Sequence, residues 1–470
     1  MKKQKVVLYN PQSVFYTMPL ALVAVGSYLD PSKFEVVIID QRLEKDPLKK
    51  VLDETRDAIC FGTSVLTGAP IHDALNVTRE VKKANPQLTT VWGGWHPSLF
   101  PEETLEEKSI DVVVSGQGEK TFTELLDALT EEKSLRGIPG LYFKENSAVV
   151  QNLPRHMENI NQFPPFNYDL IDVEKYFALK GRKQFDYIAS QGCRFRCTFC
   201  ADPLMYKRGW HGYEPERMGN ELEQLWKRYH FDDVNFQDET FFTYSQRVAE
   251  IAEEFIKRKL SFTWFGTMRA DQGFRLDEEI LALCKRSGLR KVMIGIEAGS
   301  QEMLDWMKKD IKIEQVFYCA ELCRKYSIAI TFNIIVGFPG ETQASIAESI
   351  RVGKELRKMS PDFEVSIFYF KPYPGNEIAD QLKRDRYVFP KGLEEWSKFD
   401  YVGSISPWIS EEDYKQVEGF KFYQKVAWSK PSVIFSLFQK IAQWRCEKNI
   451  YDFPVERKIF EFIRPAVKLS

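Results

Sequence analysis

The chain has 470 residues, 44% of them hydrophobic and 14% aromatic, which is enough for two or three packed domains and too apolar for a disordered chain. Its formal net charge of −2 offers no bulk attraction for nucleic acid. MKKQ runs straight into the short apolar stretch VVLYN, so no signal peptide is expected, and no window holds the roughly 18 apolar residues of a membrane span; a cytoplasmic location follows.

Residues 1–145 alternate apolar runs with amphipathic segments such as PIHDALNVTREVKKA. The runs VVLYN (6–10), EVVIID (35–40), AICFG (58–62), TTVWGG (89–94) and DVVVSG (111–116) predict the parallel strands of a doubly wound α/β sheet. Such sheets bind ligands beyond the carboxyl ends of their strands. Those ends carry Asn10–Pro11, Gly62–Thr63–Ser64, Gly93–Gly94 and Gly116–Gln117–Gly118–Glu119. The glycines either terminate strands or admit backbone to a bulky ligand. Residues 146–182, rich in proline and asparagine, read as a linker.

From 183 to 375 the alternation resumes with DYIAS (186–190), DVNFQD (233–238), SFTWFG (261–266), KVMIGIE (291–297), IAITFNIIVG (328–337) and FEVSIFYF (363–370). Six strands with helices between them predict a partial (β/α)6 barrel with its functional groups at the strand carboxyl ends. The first of those ends reads QGCRFRCTFCAD. Residues 376–470 change character: in 421–470, ten Lys/Arg stand against four Asp/Glu. Val433, Ile434, Leu437, Phe438, Ile441 and Trp444 share one predicted helical face. Three readings fit this basic, aromatic tail: a helical cap on the barrel, a lid over a greasy substrate, or a peripheral membrane contact.

The chain has eight cysteines, and Cys193, Cys197 and Cys200 fall within eight positions. Without a secretory signal, such clustering points to metal or redox chemistry rather than disulfides. Cys319 and Cys323 lie four apart on a predicted helix and read as small core residues. Three readings compete for the triplet. Structural zinc usually takes two separated pairs of ligands; nearby His211 could supply a fourth, but C-x3-C-x2-C is not a usual zinc-pair spacing. Unreactive buried thiols rarely gather in a loop beside Arg194 and Arg196. Three thiolates on a 4Fe–4S cluster would leave one iron open to a chelating substrate.

C-x3-C-x2-C with Phe199 before its last cysteine resembles the radical S-adenosylmethionine (SAM) superfamily, and further pieces follow in the family's order. NFQDETF (235–241) resembles the acidic segment that holds the methionyl amino group, with Asp238 and Glu239 as candidates. MRAD (268–271) follows the third strand and contributes Arg269. GIEAGSQEMLDWMKK (295–309) is similar to the family's fourth-strand stretch, with Gly295 and Glu297 near the ribose and Phe199 near the adenine. NIIVGFPGET (333–342) and FKPYPGN (370–376) match the fifth and sixth strand ends. The resemblance implies reductive cleavage of SAM to a 5′-deoxyadenosyl radical that abstracts hydrogen from an unactivated carbon. It also implies a one-electron donor such as flavodoxin or ferredoxin.

The order of doubly wound domain, linker and barrel resembles the cobalamin-binding class of that superfamily, which includes the anaerobic tetrapyrrole cyclase and cobalamin-dependent methylases. PLALVAVGSYL (19–29), TSVLTGAP (63–70), GGWHP (93–97), PEETL (101–105) and VVVSGQGEKTF (112–122) carry that likeness. It implies a cobalamin site built from Thr63, Ser64, Leu66, Gly93, Gly94, Trp95, Gly116, Gly118 and Glu119, with Leu66 or Trp95 covering the lower face. The D-x-H-x-x-G motif of the wider B12-binding pattern is absent, and NPQSVFY (10–16) stands there. His96 is expected to be a loop residue rather than a cobalt ligand. Methyl transfer and oxidative cyclisation both fit, on a large hydrophobic substrate such as a lipid, terpenoid or tetrapyrrole. The alternatives are a cobalamin-free enzyme related to methylthiotransferases, for which no second cysteine triplet is present, and a corrinoid sensor with a structural cluster.

Overall fold

QKVVLYN forms β1 (Gln4–Asn10) in a computed structural model that describes residues 3–146, 148–400, 404–430, 436–452 and 456. Four consecutive buried residues, Val6 to Tyr9, mark a strand covered on both faces, as a parallel sheet requires. β2 (Phe34–Asp40), β3 (Ala58–Ser64), β4 (Thr89–Gly93) and β5 (Val112–Val114) pair in parallel, in the order β2-β1-β3-β4-β5. The winding direction reverses between β1 and β3, which places the ligand crevice beyond Asn10 and Ser64. A hairpin that the sequence pattern did not announce, β6 (Leu141–Glu145) and β7 (Ala148–Gln151), extends the sheet antiparallel to β5. It crosses the boundary expected at residue 145. LYFKE alternates buried Leu141 and Phe143 with half-buried neighbours, a pattern too short to stand out by itself.

The chain divides into two compact units that cut across the expected domains: Met1–Glu239 with Pro372–Val402, and Thr240–Lys371 with Gly403–Ser470. The first unit adds β8 (Gln184–Tyr187), β9 (Ser190–Gly192), β10 (Trp210–Gly212) and β11 (Asp233–Phe236) to the sheet just described. The single strand expected over 186–190 is therefore two: β8 pairs in parallel with β11, and β9 pairs antiparallel with β10. Part of the tail also belongs to this unit, because its apolar side chains complete the first core. Leu393, Trp396 and Phe399 pack with Val65, Ile71, Trp92, Leu105 and Val113. Glu103 accepts hydrogen bonds from Trp396 Nε1 at 2.7 Å and from the Gly392 amide at 3.0 Å.

The second unit holds β12 (Thr263–Met268), β13 (Leu289–Glu297), β14 (Ala329–Val336) and β15 (Phe363–Tyr369), paired in parallel in that order. The six strands expected for the barrel are thus all present, two in the first unit and four in the second. Cys319 and Cys323 are buried core residues, as expected. The helices Glu411–Ala427 and Ser436–Lys448 complete this unit, burying Ala442, Arg445 and Cys446 while Leu437 and Trp444 remain 72% and 51% exposed. Val433 and Ile434, expected on that same face, lie outside the described residues. Among the described residues no helix is long and apolar enough to cross a membrane.

Within the first unit one buried carboxylate joins three stretches of chain. Asp186 on β8 is fully buried, and its Oδ2 accepts from the Met18 amide at 2.8 Å and from Lys180 Nζ at 2.5 Å. Its Oδ1 accepts from Asn235 Nδ2 and Gln237 Nε2, both at 3.2 Å. Burial holds the Lys180 ammonium below its ordinary pKa despite this partner. Removing the carboxylate strands a buried cation, so Asp186→Ala is expected to cost about 3–5 kcal/mol in urea unfolding, with Asp186→Asn intermediate. A loss for Asp186→Ala within about 1 kcal/mol, the range of an exposed pair, would contradict this role.

Candidate active site

The three cysteines sit on a loop with a closed stem. Gly192, Gln191 and Ser190 on β9 pair with Trp210, His211 and Gly212 on β10, which ties off residues 193–209 at their base. His211 thus belongs to the stem. Gly192 adopts φ 92°, and a Cβ there would lie 2.4 Å from the Gly209 carbonyl oxygen, so only glycine fits. Three of the loop's carbonyls are held by side-chain or backbone donors. Asn376 Nδ2 donates to Phe199 O at 3.0 Å, the Ile378 amide to Thr198 O at 3.1 Å, and Arg208 Nε to Arg194 O at 3.1 Å.

No cysteine is in a disulfide; Cys197 is buried, and Cys193 and Cys200 are half-buried. Burial pushes the Cys200 thiol well up, and neighbouring Asp202, Cys197 and Cys193 push in the same direction. Thiols held like this become thiolates when a cation replaces the proton. Among the described residues, no three His, Cys, Asp or Glu side chains converge on a single metal-ion position. A four-iron cluster binds each thiolate at a different iron and needs no such convergence, whereas a zinc ion does. Three thiols on one tied loop, none of them in a disulfide, are a donor set that suits the cluster.

The two acidic candidates clamp this stem. Asp238 Oδ1 accepts from the Ala189 amide at 2.8 Å, and its Oδ2 accepts from Ser190 Oγ. Glu239 Oε2 accepts from the Gly192 amide at 3.2 Å, and its Oε1 from the Tyr206 hydroxyl at 2.7 Å. Burial pushes the Glu239 carboxyl up to about 7. Cys193, Cys197, Phe199, Cys200, Asp238 and Glu239 thus all belong to the first unit.

Arg269, Gly295 and Glu297 belong to the second unit and form their own network. Glu297 ends β13 in the left-handed region, at φ 62°, a conformation costing a non-glycine residue about 1–3 kcal/mol and typical of ligand-binding positions. Its Oε1 accepts from Lys309 Nζ at 2.6 Å, with both side chains buried. Gly295 leaves the space for that carboxylate, since a Cβ there would lie 2.3 Å from Glu297 Oε1. Arg269 Nε donates to Asp271 Oδ1 at 2.9 Å, and its guanidinium also bonds the Lys309 carbonyl. Lys309 received no role from the sequence, although it closes the stretch LDWMKK; its burial is what marks it.

At the sheet end, Thr63 is buried and its hydroxyl has no hydrogen-bond partner, the signature of a group awaiting a ligand or water. Leu66 is 43% exposed, and Val14, Phe15 and Tyr16 of NPQSVFY are exposed beyond β1, where Arg42 holds the carbonyls of Phe15 and Thr17. Gly116, at φ 82°, has open space where a Cβ would be, and Gly118 opens the helix Gly118–Thr130. Ser64 stands beside Gly94, and Gly93 makes only an ordinary contact with Val114. Gly94 has a reason other than ligand approach: at φ 91° its Cβ would lie 2.7 Å from the Val65 amide nitrogen. Glu119 is buried at the helix start, and burial raises its carboxyl. The orphan hydroxyl, the open glycine and the exposed apolar loop fit a corrinoid.

Trp95 stands edge-on to Tyr206, with ring centroids 5.8 Å apart. His96 is not a loop residue: it lies fully buried in the short helix Trp95–Leu99, against Phe100 and Trp396. Its Nδ1 lies 3.2 Å from the Thr67 hydroxyl, and its buried Nε2 has no hydrogen-bond partner among the described residues.

Two family models match the chain: B12 binding domain over residues 7–126 and Radical SAM superfamily over residues 187–352. A protein of Pyrococcus horikoshii named an uncharacterized methyltransferase is 29% identical, covering 84% of each chain. The anaerobic magnesium-protoporphyrin IX monomethyl ester cyclase of Rubrivivax gelatinosus is 26% identical over 81% of this chain and 67% of its own. The radical S-adenosylmethionine methyltransferase TsrM of Kitasatospora setae, solved with tryptophan and a SAM analogue, shares the fold at TM-score 0.72 and 20% identity, covering 88% of each chain.

Two outcomes follow from this geometry. Gly192→Ala should reduce iron bound per chain to below about half the wild-type value, while Gly116→Ala leaves iron unchanged; equal iron in both would contradict the stem geometry. Burial holds the His96 imidazole down at about 3. Its stabilising contribution is therefore complete above the unfolded pKa of about 6.5 and is lost as pH falls from there toward 3. As the medium is acidified from about pH 6.5 toward 3, the urea midpoint of wild type should fall relative to that of His96→Leu, whose side chain takes up no proton. A constant gap would contradict it.

Proposed function

We propose methyl transfer to an unactivated carbon as the reaction of this chain, which belongs to the cobalamin-binding radical SAM enzymes. Its cofactors are a 4Fe–4S cluster, SAM and cobalamin, and it requires a reductant and a small-molecule substrate. One observation carries the reading. The sheet-end loops of the B12-binding half touch the stem of the cysteine loop, where Gln117 Nε2 donates to Gln191 Oε1 at 2.8 Å. When bound, the cluster supplies the electron that cleaves SAM, and the corrinoid supplies a transferable methyl group.

The roles of individual residues are part of the proposal. Cys193, Cys197 and Cys200 hold the cluster, and the fold fixes their loop before it arrives. Glu239, Asp238, Phe199, Arg269, Gly295 and Glu297 bind SAM, with the buried carboxylates reading its amino and ribose groups. Thr63 donates its unpartnered hydroxyl to the corrinoid, Gly116 and Gly118 admit it, and Leu66 covers it. The exposed Val14, Phe15 and Tyr16 support an apolar substrate. Leu437 and Trp444, exposed in a segment rich in lysine and arginine, support a peripheral membrane contact through which such a substrate arrives. Oxidative cyclisation is the second reading, favoured by the likeness to the Rubrivivax enzyme.

Methylation consumes SAM twice, once as methyl donor, leaving S-adenosylhomocysteine, and once as radical source, leaving 5′-deoxyadenosine and methionine. The test is anaerobic incubation of the reduced, corrinoid-loaded chain with methyl-labelled SAM. 5′-Deoxyadenosine from wild type but not from the Cys193→Ala/Cys197→Ala/Cys200→Ala variant, with label appearing on the corrinoid, is the expected result. 5′-Deoxyadenosine without label on the corrinoid would replace methyl transfer by oxidation.

A further inference from the structure

Two glycine loops of the B12-binding half reach consecutive residues of the cysteine-loop stem, by different routes. After β4, the loop Gly93–Gly94–Trp95 sets the Trp95 ring edge-on to Tyr206, at 5.8 Å and 85°. The Tyr206 hydroxyl donates to Glu239 Oε1 at 2.7 Å, and Glu239 Oε2 accepts from the Gly192 amide at 3.2 Å, one residue before Cys193. After β5, Gln117 Nε2 donates to Gln191 Oε1 at 2.8 Å. Its amide cannot swing free, because Gln117 Oε1 accepts from the Glu158 amide at 2.8 Å. Gln191 and Gly192 are neighbours on β9, so both routes end on the same short strand.

We infer that corrinoid binding at the sheet end and SAM binding at the cysteine loop are thermodynamically linked, with Tyr206 and Gln117 as the positioning residues that carry the link. The inference rests on the cobalamin reading above. The loops that hold the corrinoid are the loops that brace the stem, so fixing them removes freedom that SAM would otherwise have to remove by itself. A ligand shifts an equilibrium only by its differential affinity for the two states, and a braced stem is such a difference. Linkage is reciprocal, so SAM tightens the corrinoid by the factor by which the corrinoid tightens SAM. The arrangement has a chemical use: SAM binds more tightly to a chain already loaded with the corrinoid, which disfavours radical formation where no methyl carrier is present.

The test uses the full chain, anaerobically reconstituted with its cluster. SAM is titrated by its effect on the electron paramagnetic resonance signal of the reduced cluster, with and without hydroxocobalamin. Hydroxocobalamin is titrated by absorbance, with and without SAM. In wild type the SAM Kd is expected to tighten at least about fivefold on corrinoid loading, with an equal reciprocal factor. In Tyr206→Phe, which keeps the ring against Trp95 but loses the hydroxyl, and in Gln117→Ala, that factor shrinks. In the double variant it falls to within about twofold of unity while iron content stays at the wild-type level. A residue serving stability alone would lower iron content or both affinities without changing their ratio. If Tyr206→Phe loses iron, Gln117→Ala decides, since it leaves the Glu239 clamp intact. Equal SAM affinity with and without bound corrinoid in wild type, or an undiminished ratio in Gln117→Ala, overturns the linkage alone. No corrinoid bound by wild type overturns the linkage and the cobalamin reading together.

Discussion

The hydrogen bonds from Ala189, Ser190 and Gly192 to two consecutive carboxylates, Asp238 and Glu239, are the constraint on which the candidate active site depends. A 17-residue loop carrying three thiols has many conformations, and ordering it at the moment of cofactor binding would cost much of the affinity gained. Here the loop is tied at its base by β9 and β10, at its carbonyls by Asn376 and Ile378, and beneath by the acidic pair. The thiols are presented in advance. In the proposed role their protons are exchanged for iron, and burial disfavours the Cys200 thiolate until a cation is present.

Buried carboxylates recur through the molecule, each with a distinct task. Asp186 gathers a backbone amide, an ammonium and two side-chain amides, and so fixes the first barrel strand to the loop that follows β1. Glu239 joins the stem to Tyr206, and through it to Trp95 of the sheet domain. Glu297 is held in a strained backbone conformation by Lys309, with Gly295 shaped around it. Placed in a low dielectric, such groups are expensive unless partnered, and the partner then dictates their position closely. Rigidity of the site and specificity of the fold come from the same hydrogen bonds.

Much of this was legible in the sequence, where a pattern spans enough residues to be read. β1, buried on both faces, appears as an unbroken apolar run, β14 as an alternation of buried and half-buried residues, and the C-x3-C-x2-C spacing marks the cysteine loop. What escaped depends on partners distant in the chain. The stretch from residue 376 looks like the start of a helical tail, yet Trp396 and Phe399 complete the first core. Gly94 looks like a glycine kept for a ligand, yet the Val65 backbone fills the place of its Cβ. His96 looks like a loop histidine until Phe100 and Trp396 close over it. Tyr206 belongs to no motif, and Gln117 and Lys309 sit inside motif stretches that give them no role; only the tertiary fold brings Tyr206 to Glu239, and Lys309 to Glu297.

The central claim is that one chain carries both an open-iron cluster and a corrinoid, held by adjoining parts of the first unit. The most direct measurement is iron, sulfide, zinc and corrinoid per chain after anaerobic purification from cells grown with hydroxocobalamin. The account predicts about four irons, about four sulfides and one corrinoid, with no zinc. Zinc in place of iron, even after reconstitution, would contradict the cluster. Iron and sulfide without corrinoid would contradict the sheet domain's part in the chemistry.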